Sequence, residues 1–209
     1  MSRWVRAAAG GMGAVLTFSM LMAPAIAAGP QQQALAFPPP AGMTLSEGKP
    51  SNGLMLRARR GINPVFLRQI VSYSTNEHPG TVVVDTGHKF LYLVLGNGWA
   101  LRYGIGTAKT GFEWGGTHQV TNKREWPDWT PPSEMLARRP ELPRHMDGGI
   151  NNPLGARALY IGATLYRIHG TNEPWTIGGN VSSGCIRMTN EDVTDLFGRV
   201  KIGSKVIVL

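Results

Sequence analysis

Thr81-Val82-Val83-Val84-Asp85-Thr86, then Gly87-His88, then Lys89-Phe90-Leu91-Tyr92-Leu93-Val94-Leu95: two β-branched and aromatic runs parted by turn residues predict a β-hairpin. Working outward, Gly96-Asn97-Gly98 turns the chain into a third strand over residues 99–106, and a further strand is expected over 117–123. Residues 158–162 and 165–169 read as two more strands, and 205–209 as a closing one. Asn190-Glu191-Asp192-Val193 starts a helix running to about residue 200, with Asn190 as N-cap and acidic residues facing the positive helix end. Residues 64–73 fit either a short helix or a strand. Between 125 and 154 the chain is rich in Pro, Trp and Met and reads as a long irregular loop, whose tryptophans are either a lid or binding surface or core anchors. Short strands at turn-punctuated intervals predict a mainly β, sandwich-like domain with one short late helix.

The rest of the chain sets the context. Arg3 and Arg6 precede an uncharged run that ends in Pro24-Ala25-Ile26-Ala27-Ala28, which reads as an export signal over residues 1–27, cleaved after Ala27 or Ala28. Glycines in that run and the proline near its end favour cleavage over a retained transmembrane anchor. Residues 28–61 are rich in Pro, Gln and Gly and read as a flexible linker, residues 62–79 as a lead-in segment, and residues 80–209 as the folded domain. The formal charge of +8 falls to +6 once Arg3 and Arg6 leave with the signal. For an exported protein such a balance favours anionic wall polymer or an acidic lipid surface, and no basic and aromatic interleaving argues for nucleic acid.

Cys185 is the only cysteine, so no internal disulfide can form. An unpaired thiol in an oxidising compartment argues mildly for chemical use. It sits in Ser182-Ser183-Gly184-Cys185-Ile186-Arg187-Met188, and His169-Gly170 lies upstream. A thiol becomes a nucleophile when a base takes its proton, and imidazole suits that task. The Ser- and Gly-rich turn offers backbone N–H groups of Ser183, Gly184 and Cys185 as an oxyanion cradle. A buried structural cysteine is the competing reading.

These residues, with Thr189-Asn190, Glu125-Trp126-Pro127-Asp128-Trp129 and Asn152-Pro153-Leu154-Gly155, resemble the YkuD-type L,D-transpeptidase family of bacterial peptidoglycan enzymes over roughly residues 80–209. The resemblance implies that Cys185 is the nucleophile, that His169 is the base, and that the backbone carbonyl of Gly170 fixes the imidazole tautomer. Glu173 is a rival orienter on proximity alone. The resemblance implies a periplasmic enzyme that attacks a tetrapeptide stem, releases D-alanine and forms a 3→3 cross-link. Water as acceptor gives an L,D-carboxypeptidase, and an envelope-protein lysine gives attachment of that protein to the wall. Arg187 matches a family position where it binds a stem carboxylate, lowers the thiol pKa or braces the site. Asn172 and Trp175 touch substrate or brace the loop. Many members carry histidine where this chain has Ser183, which bears on donor or acceptor preference.

Two other readings compete. In a papain-like protease the cysteine precedes the histidine, the reverse of the order here, and an inactive wall-binding module has no need of both Cys185 and His169. The remaining histidines, His78, His88, His118 and His145, lack zinc-ligand spacing, and only His145 in the long loop is placed near the pocket. No phosphate loop surrounds Gly178-Gly179. The expectation is an enzyme with no metal and no cofactor.

Overall fold

The structure is a computed structural model and describes residues 61–209. The expected export signal, and all of the expected linker but Gly61, lie outside the described residues. The mainly β expectation holds. Eleven strands run in chain order as β1 (Gln69–Ser72), β2 (Val82–Asp85), β3 (Phe90–Gly96), β4 (Trp99–Gly104), β5 (Thr107–Ala108), β6 (Gly116–Glu125), β7 (Arg157–Ile161), β8 (Arg167–His169), β9 (Asn180–Ser182), β10 (Ile186–Arg187) and β11 (Lys205–Val208). Helix α1 spans Ser133–Arg138 and helix α2 spans Asn190–Arg199.

Nine strands form one sheet in the order β1-β4-β3-β2-β11-β6-β7-β8-β10, and β5 pairs with β9 separately. The predicted hairpin is β2–β3, antiparallel from Val82 opposite Leu93 to Asp85 opposite Phe90. Its turn is held by Asp85, which accepts the His88 backbone N–H at 2.9 Å and contacts the His88 ring at 2.7 Å. The Val82-Val83-Val84 run is buried throughout because β2 lies inside the sheet with both faces covered. Residues 64–73 take up both of their alternatives, a 3-10 turn at Pro64–Phe66 followed by β1 on β4.

β6 explains the sandwich-like character. Its first half pairs with β11, and after an irregularity between Val120 and Asn122 its second half pairs with β7, so one long strand serves both halves of the sheet. The sheet then curls until Gly106, just past β4, exchanges two 2.8 Å backbone hydrogen bonds with Arg187 in β10, the opposite end of the strand order. Val84, Leu91, Tyr103, Leu159 and Ile168 pack with Val193 and Leu196 of α2 in the enclosed core.

Two expectations need correction. The N-cap of α2 is Thr189, whose hydroxyl accepts the Asp192 N–H at 3.1 Å; Asn190 is already helical. The Asn190 side chain instead reaches across to β7 and the loop after β8. The stretch read as an irregular loop contains α1 and is internally tied, by paired 2.8 Å bonds between Trp129 and Met146 and by the Asn152 amide on the carbonyls of Met146 and Asp147. Among the described residues no helix is long and apolar enough to cross a membrane.

Candidate active site

The site grows from two short parallel strands. In β8 and β10, Ile168 lies beside Ile186 and His169 beside Arg187. Successive strand residues face opposite ways, and both isoleucines are buried in the core. His169 and Arg187 therefore share the other face, and Cys185, one residue before β10, joins them there. Its Cα stands about 8 Å from that of His169 by strand geometry, diagonally across the two strands.

His169 is only 4% exposed. Its Nδ1 lies 2.6 Å from the Gly170 carbonyl oxygen. A carbonyl can only accept, so Nδ1 carries the hydrogen and Nε2 keeps its lone pair. Burial, then the charge of Arg187, lowers the pKa of the imidazole to about 3, although the Gly170 carbonyl pulls the other way. The ring is neutral at physiological pH. Cys185 is half-buried, and burial pushes its thiol pKa up, against the opposing pull of Arg167 and, more weakly, Arg187. Both side chains are thus neutral at rest, a thiol and an imidazole with a free lone pair.

Asn190 anchors the carbonyl that holds the ring. Its Oδ1 accepts the backbone N–H groups of Ala156 at 2.9 Å and Thr171 at 3.1 Å, one on each side of Gly170 in space. A Cβ on Gly170 would collide with that same oxygen. Glu173, the rival orienter, is instead bonded to Arg187 at 2.9 Å.

The nucleophile turn is braced from inside and outside. Ser182 Oγ donates to the Cys185 carbonyl at 2.6 Å and accepts the Gly184 N–H at 3.2 Å. Of the three expected cradle donors, Gly184 is therefore occupied, while Ser183 and Cys185 have no acceptor among the described residues. Gly184 has φ +116° and a Cβ there would strike the Tyr166 ring. Tyr166 stacks on Trp114 at 4.4 Å, and Trp114 Nε1 donates to the Gly184 carbonyl at 2.5 Å. These two aromatics were not read from the sequence. Trp114 lies in a glycine-flanked loop with no period, and Tyr166 looked like one more strand residue.

The remaining expected residues divide. Arg187 Nη1 donates to Glu173 and, at 3.0 Å, to Thr176, so it ties down the 3-10 turn at Pro174–Thr176 while its charge also pulls the thiol pKa down. Asn172 donates to the Asn151 carbonyl at 3.1 Å and likewise braces its loop. Trp175 is 61% exposed and free to meet a ligand. His145 contacts Thr130 and Asp147 within its own loop.

This fold has known counterparts. The model for the L,D-transpeptidase catalytic domain named YkuD matches residues 79–208. The chain is 37% identical over 137 residues to "Probable L,D-transpeptidase YbiS" of Escherichia coli K12, a match that covers 62% of this chain and 44% of that protein, so it spans less than half of that relative. A solved Brucella melitensis chain described as a "Probable carnitine operon oxidoreductase caia" is 46% identical, over 73% of this chain and 99% of its own, with a TM-score of 0.48. L,D-transpeptidase 3 of Mycobacterium tuberculosis shares the fold at a TM-score of 0.50 and 16% identity, covering 62% of this chain and 60% of its own. On the breadth of the family match, the chain belongs to the YkuD family of L,D-transpeptidase catalytic domains.

Proposed function

We propose that the chain is a periplasmic L,D-transpeptidase that forms 3→3 cross-links in peptidoglycan through a Cys185 thioester. The observation that carries this is the His169 ring, held by the Gly170 carbonyl with Nε2 unprotonated, on the same sheet face as Cys185 in a chain of this family. Residues 1–27 act as the export signal and residues 28–61 as a tether between the cleavage point and the catalytic domain.

In the first half-reaction His169 Nε2 takes the thiol proton as Sγ bonds to the carbonyl carbon that precedes the terminal D-alanine of a tetrapeptide stem. The oxyanion is met by the N–H groups of Ser183 and Cys185, and losing one such donor costs about 100-fold or more in rate. The C–N bond then breaks, His169 returns its proton to the departing D-alanine amine, and the thioester remains. An amine of a second stem then attacks the thioester, giving its proton to His169. Collapse expels Sγ as thiolate, which recovers that proton. A neutral imidazole suits both directions, since it starts each half-reaction able to accept.

Trp175 and the lid that carries α1 are the substrate-facing parts, with Arg187 and Asn172 setting the loops around them. Incubation with disaccharide-tetrapeptide and mass analysis of products tests the reading. Cross-linked dimer with equimolar D-alanine supports it. Tripeptide alone points to carboxypeptidase action, and a conjugate formed only with a lysine-bearing envelope protein points to wall attachment. Unchanged substrate with folded protein contradicts the acyl-transfer assignment.

A further inference from the structure

Two arginines lie beside the nucleophile, and their bonding differs. Arg187 is neutralised by Glu173 at 2.9 Å, although its Nε, like that of Arg167, is buried without an acceptor. Arg167 lies two residues before His169 on β8, so the two side chains share a face. Stepping back one position from the Ile168–Ile186 pair sets Arg167 beside Cys185. Across the sheet its partner is Tyr160, and the guanidinium carbon lies 5.1 Å from the centre of that ring. Arg167 Nε is buried with no hydrogen-bond acceptor, and no carboxylate among the described residues pairs with this side chain. The titratable and charged groups beside the sulfur are thus Arg167 and the neutral His169 from β8 and the already paired Arg187 from β10.

A buried guanidinium N–H with no acceptor is costly, and the cost has a use where an anion exists only during reaction. We propose that Arg167 is a catalytic residue of this site: its guanidinium holds the negative charge on Cys185 Sγ while the thiol proton moves to His169, and again when the thioester collapses and Sγ leaves. Arg167 moves no proton and forms no covalent bond. Its backbone N–H and guanidinium both oppose the effect of burial on the thiol, and its charge also helps to keep His169 neutral. The Tyr160 ring packs beside the guanidinium. The proposal rests on the acyl-transfer reading above, but its test does not.

Alkylation of Cys185 reads the thiolate without any wall substrate. In the full chain, the rate with neutral iodoacetamide is followed against pH for the native protein and for Arg167→Gln, Arg167→Met and Arg167→Lys, with thermal melts as a check on folding. The neutral variants are expected to move the midpoint up by about one pH unit or more, and Arg167→Lys to recover most of that shift. On the native protein alone, the rate ratio of anionic iodoacetate to iodoacetamide should exceed that of free cysteine, because an unpaired cation beside the sulfur attracts the anion. A native ratio no greater than that of free cysteine, or a folded neutral variant with the native pH profile, overturns the assignment. A shifted profile in a protein that makes no cross-link, tripeptide or conjugate would leave Arg167 in place and remove the transpeptidase reading instead.

Discussion

His169 is the proposed base, and its burial has measurable consequences. With its pKa lowered to about 3, the ring stays a base far below the range where an ordinary histidine is protonated. Acylation of Cys185 by a carbapenem, followed by intact mass against pH, should therefore show no inflection between pH 5 and 7 and should fail only near pH 3 and below. An inflection near 6.5 would mean that the ring is solvated. The same burial couples stability to pH. The unfolded chain binds a proton on this residue below about 6.5, whereas the folded one does not until about 3. Stability is then full above 6.5 and declines as pH falls through that window, by on the order of 4 kcal/mol at its lower end. His169→Gln should flatten that part of the melting-temperature profile. Gly184 is the other decisive residue, because φ +116° and the Tyr166 ring leave no room for a side chain. Gly184→Ala should reduce acylation at least 100-fold by displacing the turn while far-UV circular dichroism keeps its native shape.

At the scale of elements, the site depends on pieces too short for sequence patterns to reveal. β5 and β10 have two residues each and β9 three, below the four to eight over which alternation can be read; β8, inside the strand expected over 165–169, is the exception. The long runs were legible: Val82-Val83-Val84 and Phe90-Leu91-Tyr92-Leu93 form the expected hairpin. Cap chemistry misled by one position, since Thr189 and Asn190 are both good N-caps and only the structure separates their roles. Asn190 is thereby released to bind Ala156 and Thr171. Replacing it with alanine strands two backbone N–H groups and should cost about 1–3 kcal/mol in denaturant unfolding, with a slower acylation that Asn190→Asp, which keeps the acceptor oxygen, largely restores. Thr189→Ala removes the cap alone and should cost about 1 kcal/mol with acylation near native. An Asn190→Ala variant with native stability and rate would detach this residue from the Gly170 carbonyl.

Over the whole molecule, the curl of the sheet does what no local pattern announces. It brings the Gly106 backbone onto Arg187, the Trp114 side chain onto Gly184, and Gly170 between Ala156 and Asn190. Cys185 and His169 stood out in the sequence as the proposed nucleophile and base because their chemistry is rare and the cysteine is single. The supporting residues were not, because Trp114, Tyr166 and Arg167 act through contacts between segments distant in sequence or between neighbouring strands. Arg187 drew attention by its closeness to the thiol in sequence, yet its charge is taken by Glu173, and Arg167, eighteen positions before Cys185, is the unpaired one. The central claim is that Cys185 and His169 form an acyl-transfer pair. Its most direct test is the intact mass of the protein during turnover of disaccharide-tetrapeptide, with peptide mapping of any adduct. The account predicts a gain equal to the substrate minus alanine, on Cys185, that is absent in Cys185→Ala and at least 100-fold slower to form in His169→Ala. An adduct mapped to another residue, or one formed at full rate without His169, would contradict it.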